Sequence, residues 1–208
     1  MKSKFWWVAA GALTLALVGQ FAYFNLSQAT PSSHAVWAFQ PKSFSDVANK
    51  ASTVVEAQVV AVSNGKAIIT EAKGEPDGVN VVPTQYITFK VLKATKGANE
   101  GQTLTVFRTG GETTYTPKPA AGKGNSTNPA GEKVQVLLLN DDPAYNVGEK
   151  HFLLLEAGPD NTLRPVSPEG RYLIAADGKL QAVTHSDVAS QVNGKSATEM
   201  EQAAGQSK

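Results

Sequence analysis

An uncharged and largely apolar stretch, residues 5–26, constrains this chain more than any other feature. Its 22 residues give about 33 Å of helix, which is enough to cross the hydrocarbon core of a bilayer. Lys2 and Lys4 precede it, and the positive-inside rule keeps such a basic end in the cytoplasm. The sequence therefore predicts an exported chain, with everything after residue 26 beyond the membrane.

The predicted leader, residues 1–29, fits two kinds of segment. Aromatic side chains near both ends favour the membrane interface and a retained signal anchor, and these are Trp6, Trp7, Tyr23 and Phe24. Ser27 and Ala29 are small residues at the offsets of a processing site, which fits a cleaved signal peptide. Both interpretations predict an extracytoplasmic domain, anchored in the first case and secreted in the second.

Charge and cysteine content exclude several chemistries. Nineteen basic and eighteen acidic residues leave a net charge of +1 without a basic run, so we expect no nucleic-acid partner. The chain has no cysteine, which excludes disulfides, thiolate metal sites and a cysteine nucleophile.

A linker and a short helix precede the strands. Residues 30–42 contain prolines near both ends and no regular period, which predicts a linker in which Trp37 and Phe39 are candidates for docking onto the domain. Residues 43–51 predict a short helix capped by Ser45, with Asp46 at its positive end.

Short segments with strand character follow. Alternation marks Ile87, Phe89 and Val91 as one buried face, and Leu104 with Val106 as another. The predicted strands are residues 52–62, 67–70, 84–93, 102–108, 134–139, 151–156, 162–166, 171–175 and 179–183.

The segments between and after the strands have their own signals. Residues 71–83 are rich in turn residues and predict a loop, whereas 151–156 form an apolar run typical of a central strand. Residues 112–132 have the composition of a flexible insertion. Residues 186–208 predict a short helical tail, with one packed turn and a fraying end.

These elements together predict a mainly β fold. Residues 43–185 are expected to form a small OB-like antiparallel barrel with short flanking helices, preceded by the one N-terminal transmembrane or signal helix.

The sequence also resembles a known family over about residues 45–183. The order SDVANKASTVVEAQVVAV, TQYITFKVLKATKG, GQTLTVFRTGG, DDPAYNVGEKHFLLL and RPVSPEGRYLIAADGKL is similar to exported bacterial proteins of unknown function. Their OB-fold domain resembles those of the tissue inhibitors of metalloproteinases and netrin modules. The resemblance implies architecture and location; the inhibitors act through an N-terminal cysteine, which this chain lacks.

The histidines and one turn are candidates for metal-binding sites. His34, His151 and His185 lack metal-binding spacing, and His151 beside Glu149 is interpreted as an edge-strand histidine with a solvated partner. A calcium site in the turn 140–146 is weighed against an ordinary turn, which we favour, and its oxygen donors are Asn140, Asp141, Asp142 and Asn146.

Three further patterns are candidates for active or binding sites. Residues 122–127 only faintly resemble a phosphate loop, because no Ser or Thr follows the lysine. Glycosidase-like carboxylate pairs are possible in principle among Glu112, Glu132, Glu149 and Glu169, although all fall at turns or strand ends. A stacking face is weighed against core filling, which we favour, for Tyr86, Tyr115, Tyr145, Tyr172 and Phe107.

No catalytic, cofactor-binding or metal-binding residue is assigned from these patterns. The sequence predicts a non-catalytic binding or interaction domain at the cell surface, in contact with the membrane through residues 5–26. Its expected partner is a protein, peptide or glycan of the cell envelope. A protease inhibitor, by fold analogy, and an unrecognised hydrolase remain as alternatives.

Overall fold

The structure, a computed structural model, describes residues 32–33, 39–71, 79–116, 133–139 and 142–206. They belong to a unit that begins at Ser32. The leader (residues 1–29), His34, Trp37 and the segment 122–127 lie outside the described residues, so the predictions made for them stay predictions. No helix in the described ranges has both the length and the apolar character needed to span a bilayer.

Strands dominate the described residues, and three short helices accompany them. The strands are β1 Ser32–Ser33, β2 Thr53–Asn64, β3 Ile68–Glu71, β4 Val79–Val82, β5 Thr84–Lys96, β6 Thr103–Thr109, β7 Gly111–Tyr115, β8 Lys133–Leu139, β9 Lys150–Ala157, β10 Leu163–Pro165, β11 Arg171–Ile174 and β12 Leu180–Ala182. The helices are α1 Phe44–Lys50, α2 Asp187–Val192 and α3 Ala197–Gln206.

Five strands close a barrel in the order β2, β5, β6, β10, β9. Strand β2 pairs antiparallel with β5 and β9, and β5 pairs antiparallel with β6. Strand β10 closes the ring by pairing antiparallel with β9 and parallel with β6. The mainly β prediction and the barrel are confirmed. The all-antiparallel prediction is wrong at one pair, because an odd number of strands cannot alternate direction around a closed ring.

The barrel interior is filled from alternate positions of its strands. Ile87, Phe89 and Val91 of β5 and Leu104 and Val106 of β6 point inward, as the alternation predicts. They meet inward side chains of β2 and β9 and one loop residue, namely Val55, Ala57, Val59, Leu153, Leu155 and Tyr145. Register shifts along β2, characteristic of bulges, help it to bend around this interior.

The outer wall of the barrel carries a second core under the helices. Val54 of β2 and Phe152 and Leu154 of β9 face outward and pack with helix residues such as Val47, Val188 and Met200. Strand β9 is therefore buried on both faces, as predicted for residues 151–156. Phe39 also packs against this cluster, which confirms its predicted docking.

Two predictions at the chain ends of this domain are wrong. Helix α1 is capped by Ser43, not Ser45, because the Ser43 hydroxyl accepts from the Asp46 N–H at 3.2 Å and the Asp46 carboxylate accepts from the Ser43 N–H at 3.1 Å. The helical tail predicted for residues 186–208 is confirmed by α2 and α3, but its predicted fraying end is wrong over the described residues, because apolar residues of both helices lie in the outer core.

Two smaller sheets flank the barrel. Strands β1, β8 and β7 form one, and the pair β3–β4 forms a hairpin between β2 and β5. The predicted loop 71–83 thus contains β4, and the predicted insertion 112–132 begins within β7. Residues 117–132 lie outside the described residues. Gly110 and Gly111 follow β6 with φ of 106° and 94°, and β7 starts at Gly111.

Candidate functional site

A buried cluster of charges lies at one end of the barrel. Arg108 occupies the position on β6 that continues the inward face of Leu104 and Val106, and Arg171 is the first residue of β11. Between them Asp142 accepts from Arg108 Nε through Oδ2 and from Arg171 Nη1 through Oδ1, each at 2.9 Å. All three side chains are at most 9% exposed.

The two guanidinium groups also hold the chain that leads to β9. Arg108 donates through Nη2 to the Asp142 carbonyl oxygen and through Nη1 to Gln85 Oε1 at 3.2 Å. Arg171 donates to the carbonyl oxygens of Pro143 and Ala144. Because the donors of both arginines are directed to backbone carbonyls, the cluster fixes residues 142–144 against β6 and β11.

Tyr145 forms the floor of this cluster. The Arg171 guanidinium carbon lies 3.4 Å from the centre of its ring, and that of Arg108 lies 5.8 Å away. The ring also makes edge contacts with Phe89 and His151, at centroid distances of 5.6 and 5.3 Å. Burial, followed by the Asp142 carboxylate, raises the pKa of Tyr145 well above its usual value, so the phenol stays neutral.

His151 lies inside the barrel and not at an edge, which corrects the prediction. It is 0% exposed, on β9 between β2 and β11. Burial, followed by the Arg171 charge, lowers the pKa of His151 to about 4, so the imidazole is neutral at pH 7.

Glu149, the partner predicted for His151, joins the same network. Its Oε2 lies 3.2 Å from His151 Nε2, and its Oε1 accepts from Asn146 Nδ2 at 2.7 Å. Burial alone would raise the pKa of Glu149, but the two hydrogen bonds from Asn146 and the proximity of His151 lower it overall. An ionised Glu149 thus pairs with a neutral His151. The carboxylate favours protonation of the imidazole, but burial and the Arg171 charge outweigh it.

This arrangement bears on the calcium hypothesis for the turn 140–146. Both carboxylate oxygens of Asp142 are engaged by arginine, and Asn146 is engaged by Glu149. Asn140 and Asp141 lie outside the described residues. Over the described part of the chain, no three His, Asp or Glu side chains converge as metal ligands.

The remaining candidate residues are dispersed. Tyr86 and Phe107 form a cross-strand pair with ring centres 5.9 Å apart, whereas Tyr145 and Tyr172 are buried, as core filling predicts. Among the candidate carboxylates, Glu112 is exposed on β7 and Glu169 is half-buried in the turn before β11. Glu132 lies outside the described residues.

His185 lines a polar surface cleft of about 330 Å³. Its other lining residues are Ala182, Thr184, Ser186, Asp187, Ser190 and Asn193. Two hydroxyl groups inside the cleft form hydrogen bonds at the start of α2. Ser186 Oγ accepts from the Ala189 N–H, and Ser190 Oγ donates to the Ser186 carbonyl oxygen.

The most exposed apolar strand of the described chain is β3. Ile68 and Ile69 are 45% and 54% exposed, and as neighbours in a strand they point to opposite faces of the β3–β4 hairpin. Their cross-strand neighbours are Val82 and Val81. Each face of the hairpin therefore carries one exposed isoleucine, whereas Val81 beside Ile69 is only 6% exposed.

Sequence reasoning missed the arginines of the buried cluster. A signal existed for Arg108, because the inward positions 104 and 106 predict that residue 108 also faces the interior. No comparable signal marks Arg171, which follows a turn. Compared with known proteins, the chain matches no family model and no curated protein at a significant level.

Proposed function

We propose that this chain is a non-catalytic binding domain of the cell envelope, held there by or delivered through residues 1–29. Its contact surface is the β3–β4 hairpin, and its partner is a protein or peptide with an apolar patch. The observation that carries the proposal is the exposure of Ile68 and Ile69 on the two faces of this hairpin.

The position of the hairpin supports this assignment. Read as an OB-like barrel, the order β2, β5, β6, β10, β9 makes residues 65–83 the connection between the first and second barrel strands. OB folds commonly bind their ligands through this connection. The hairpin lies within this connection, and its two strands are not part of the closed ring.

The energetics favour an apolar partner. Full burial of an isoleucine side chain stabilises a complex by about 1.5–3 kcal/mol. An aliphatic pair gains this from an apolar protein surface and gains little from the hydroxyl groups of a glycan. The near-zero net charge gives no electrostatic attraction to nucleic acid.

The buried cluster of Arg108, Asp142 and Arg171 supports a structural role for these charges and not a catalytic one. Its charged side chains are directed at one another and at backbone carbonyls, and its histidine is neutral with a pKa of about 4. Such groups stabilise the barrel end on which the surface loops rest.

The test compares two serine variants of the full-length chain in envelope extracts. The double variant Ile68→Ser/Ile69→Ser removes the hairpin's exposed aliphatic groups. Leu92→Ser is the matched control, since Leu92 is exposed on β5 and lies eight residues, or about 26 Å along the strand, from Thr84.

We expect the wild type and Leu92→Ser to retain the same co-purifying protein and the double variant to lose it, with unchanged thermal unfolding. Equal retention by both variants would contradict a hairpin surface. Turnover of a peptide or glycan substrate by the purified chain would contradict the non-catalytic assignment.

A further inference from the structure

Helix α3 lies on the outer wall of the barrel with an acidic residue on its buried face. Ala197, Met200 and Ala204 pack into the outer core, and Glu201 between them is 6% exposed. A carboxylate at this depth requires partners, because an unpaired buried charge is strongly unfavourable.

Only one of the two Glu201 oxygens has a partner in the described structure. Lys93 of β5 donates to Oε2 in a short ion pair. Oε1 is buried and accepts no hydrogen bond from any described residue. A buried acceptor left in this state destabilises the docked helix.

Glu56 of β2 is placed to donate a hydrogen bond to Glu201 Oε1. It lies directly across from Lys93 in the β2–β5 register, so it faces the same outer surface that Glu201 meets. A carboxyl group can donate a hydrogen bond to Oε1 only while it holds a proton. When ionised, it places a second negative charge beside Glu201.

The other charges around Glu56 do not cancel this effect. Lys93 faces it from β5 and Lys150 from β9, and Glu100 acts on Lys93 from the β5–β6 turn. Burial, followed by the charge of Glu201, raises the pKa of Glu56 above its ordinary value of 4.5 despite both lysines. A raised pKa in the folded state means that docking is favoured at low pH and weakens as pH rises through that pKa.

We propose that α3 is a proton-sensitive strap. Protonated Glu56 donates to Glu201 Oε1 and fastens the helix to β2 and β5, and ionised Glu56 repels Glu201 and loosens it. Loosening uncovers the outer wall formed by Val54 and its neighbours. The strap lies toward the end of β2 away from the β3–β4 hairpin, so the two surfaces are separate.

The test is hydrogen exchange of the full-length chain in a mild detergent at pH 4.5 and pH 7.5, corrected for the intrinsic rates. The readout is the protection of amides in α3 relative to amides in β9, because this ratio removes changes in global stability. We expect the wild-type ratio to be higher at pH 4.5, where a carboxyl with a raised pKa is mostly protonated, than at pH 7.5.

Two variants separate the strap from a general acid effect. Glu56→Gln supplies a permanent donor and should give high α3 protection at both pH values. Glu156→Gln is the matched control, because Glu156 of β9 pairs with Lys50 of α1 and Arg164 of β10 and not with α3. This variant should keep the wild-type response.

An unchanged wild-type ratio between the two pH values would overturn the proposal, and so would a Glu56→Gln variant that responds to pH as the wild type does. If Glu56→Gln fails to fold, carboxyl-carbon NMR of the wild type decides. A Glu56 side chain that titrates above 4.5 supports the strap, and one that titrates at or below this value overturns it.

Discussion

Asp142 is the residue on which the buried end of the barrel depends most. It is the shared anion of two guanidinium groups, and removing one member of a buried ion pair leaves an uncompensated charge. We predict that Asp142→Asn lowers the free energy of unfolding by about 3–5 kcal/mol. Denaturant unfolding of the full-length chain, monitored by circular dichroism, measures this decrease in the free energy of unfolding.

Glu156→Gln provides the comparison on the surface. Glu156 also pairs with two basic side chains, but Lys50 and Arg164 are 40% and 53% exposed. Its replacement should cost less than about 1 kcal/mol. Equal losses in the two variants would show that the buried cluster contributes no more than an exposed ion pair.

His151 should make the fold sensitive to mild acid. Its folded-state pKa of about 4 lies below its ordinary value of 6.5, so its contribution to stability is present above 6.5 and is lost as the pH falls toward 4. Between pH 7.5 and 5 the wild type should lose about 2 kcal/mol from this group.

The variant His151→Gln isolates this contribution, because glutamine does not titrate. Unfolding curves at the two pH values should show a smaller acid loss for the variant than for the wild type, although the raised pKa of Glu56 acts in the opposite direction in both proteins. An identical pH dependence would contradict a neutral, buried imidazole.

Individual residues also show which features could not be predicted from the sequence. The sequence predicts an edge histidine at position 151 because it predicts a strand that begins there, whereas β9 starts one residue earlier and is paired on both sides. The turn composition around Asp142 predicted a loop correctly. Its arginine partners are 34 and 29 positions away, and pairing at such separations leaves no local pattern.

At the scale of elements, alternation predicted the barrel strands well. The inward residues of β5 and β6 and the doubly buried β9 follow from side-chain period and apolar runs. Strands β4 and β7 were missed since turn-forming residues adjoin them, and their pairing with β3 and β8 depends on tertiary contacts. Ser43 was missed as a cap because Ser45 offered the same chemistry two residues later.

The turn between β5 and β6 gives a test at this scale. Gly97 has a φ of 71°, and a Cβ atom there would lie 2.2 Å from the Ser52 carbonyl oxygen. Gly101 in the same turn has a φ of 78° but open space around it. Alanine at either position should cost about 1 kcal/mol through the positive φ, and Gly97→Ala should cost clearly more.

Thermal unfolding of the two alanine variants measures this difference, since the backbone penalty is common to both. A Gly97→Ala variant as stable as Gly101→Ala would show that the turn can move away from β2 without cost. The result would then contradict a close approach between the turn and the Ser52 backbone.

At the scale of the whole molecule, closure of a ring of five strands explains why β6 and β10 pair in parallel. The β3–β4 hairpin is not part of this ring. The sequence predicted a small β barrel, but the closure through β10 depends on a strand of only three residues. Short strands carry little periodic signal, so the order of strands was not accessible from the pattern alone.

The proposed location can be tested because the chain has no cysteine. Single cysteines introduced by Val147→Cys and Ser3→Cys should behave oppositely toward a membrane-impermeant maleimide in intact cells, or in cells with a permeable outer membrane. We predict labelling at position 147 before lysis, where the side chain is 66% exposed. A retained leader is labelled at position 3 only after lysis, and a cleaved leader removes position 3 from the mature chain. Protection of position 147 until lysis would place the domain in the cytoplasm.

Photo-crosslinking is the most direct test of whether the β3–β4 hairpin binds a partner. A benzophenone amino acid replaces Ile69 in one strain and Leu92 in another, and both full-length chains are irradiated in living cells. We predict one discrete crosslinked protein from position 69 and none from position 92. Crosslinks of equal yield from both positions, or none from position 69, would contradict binding at the hairpin.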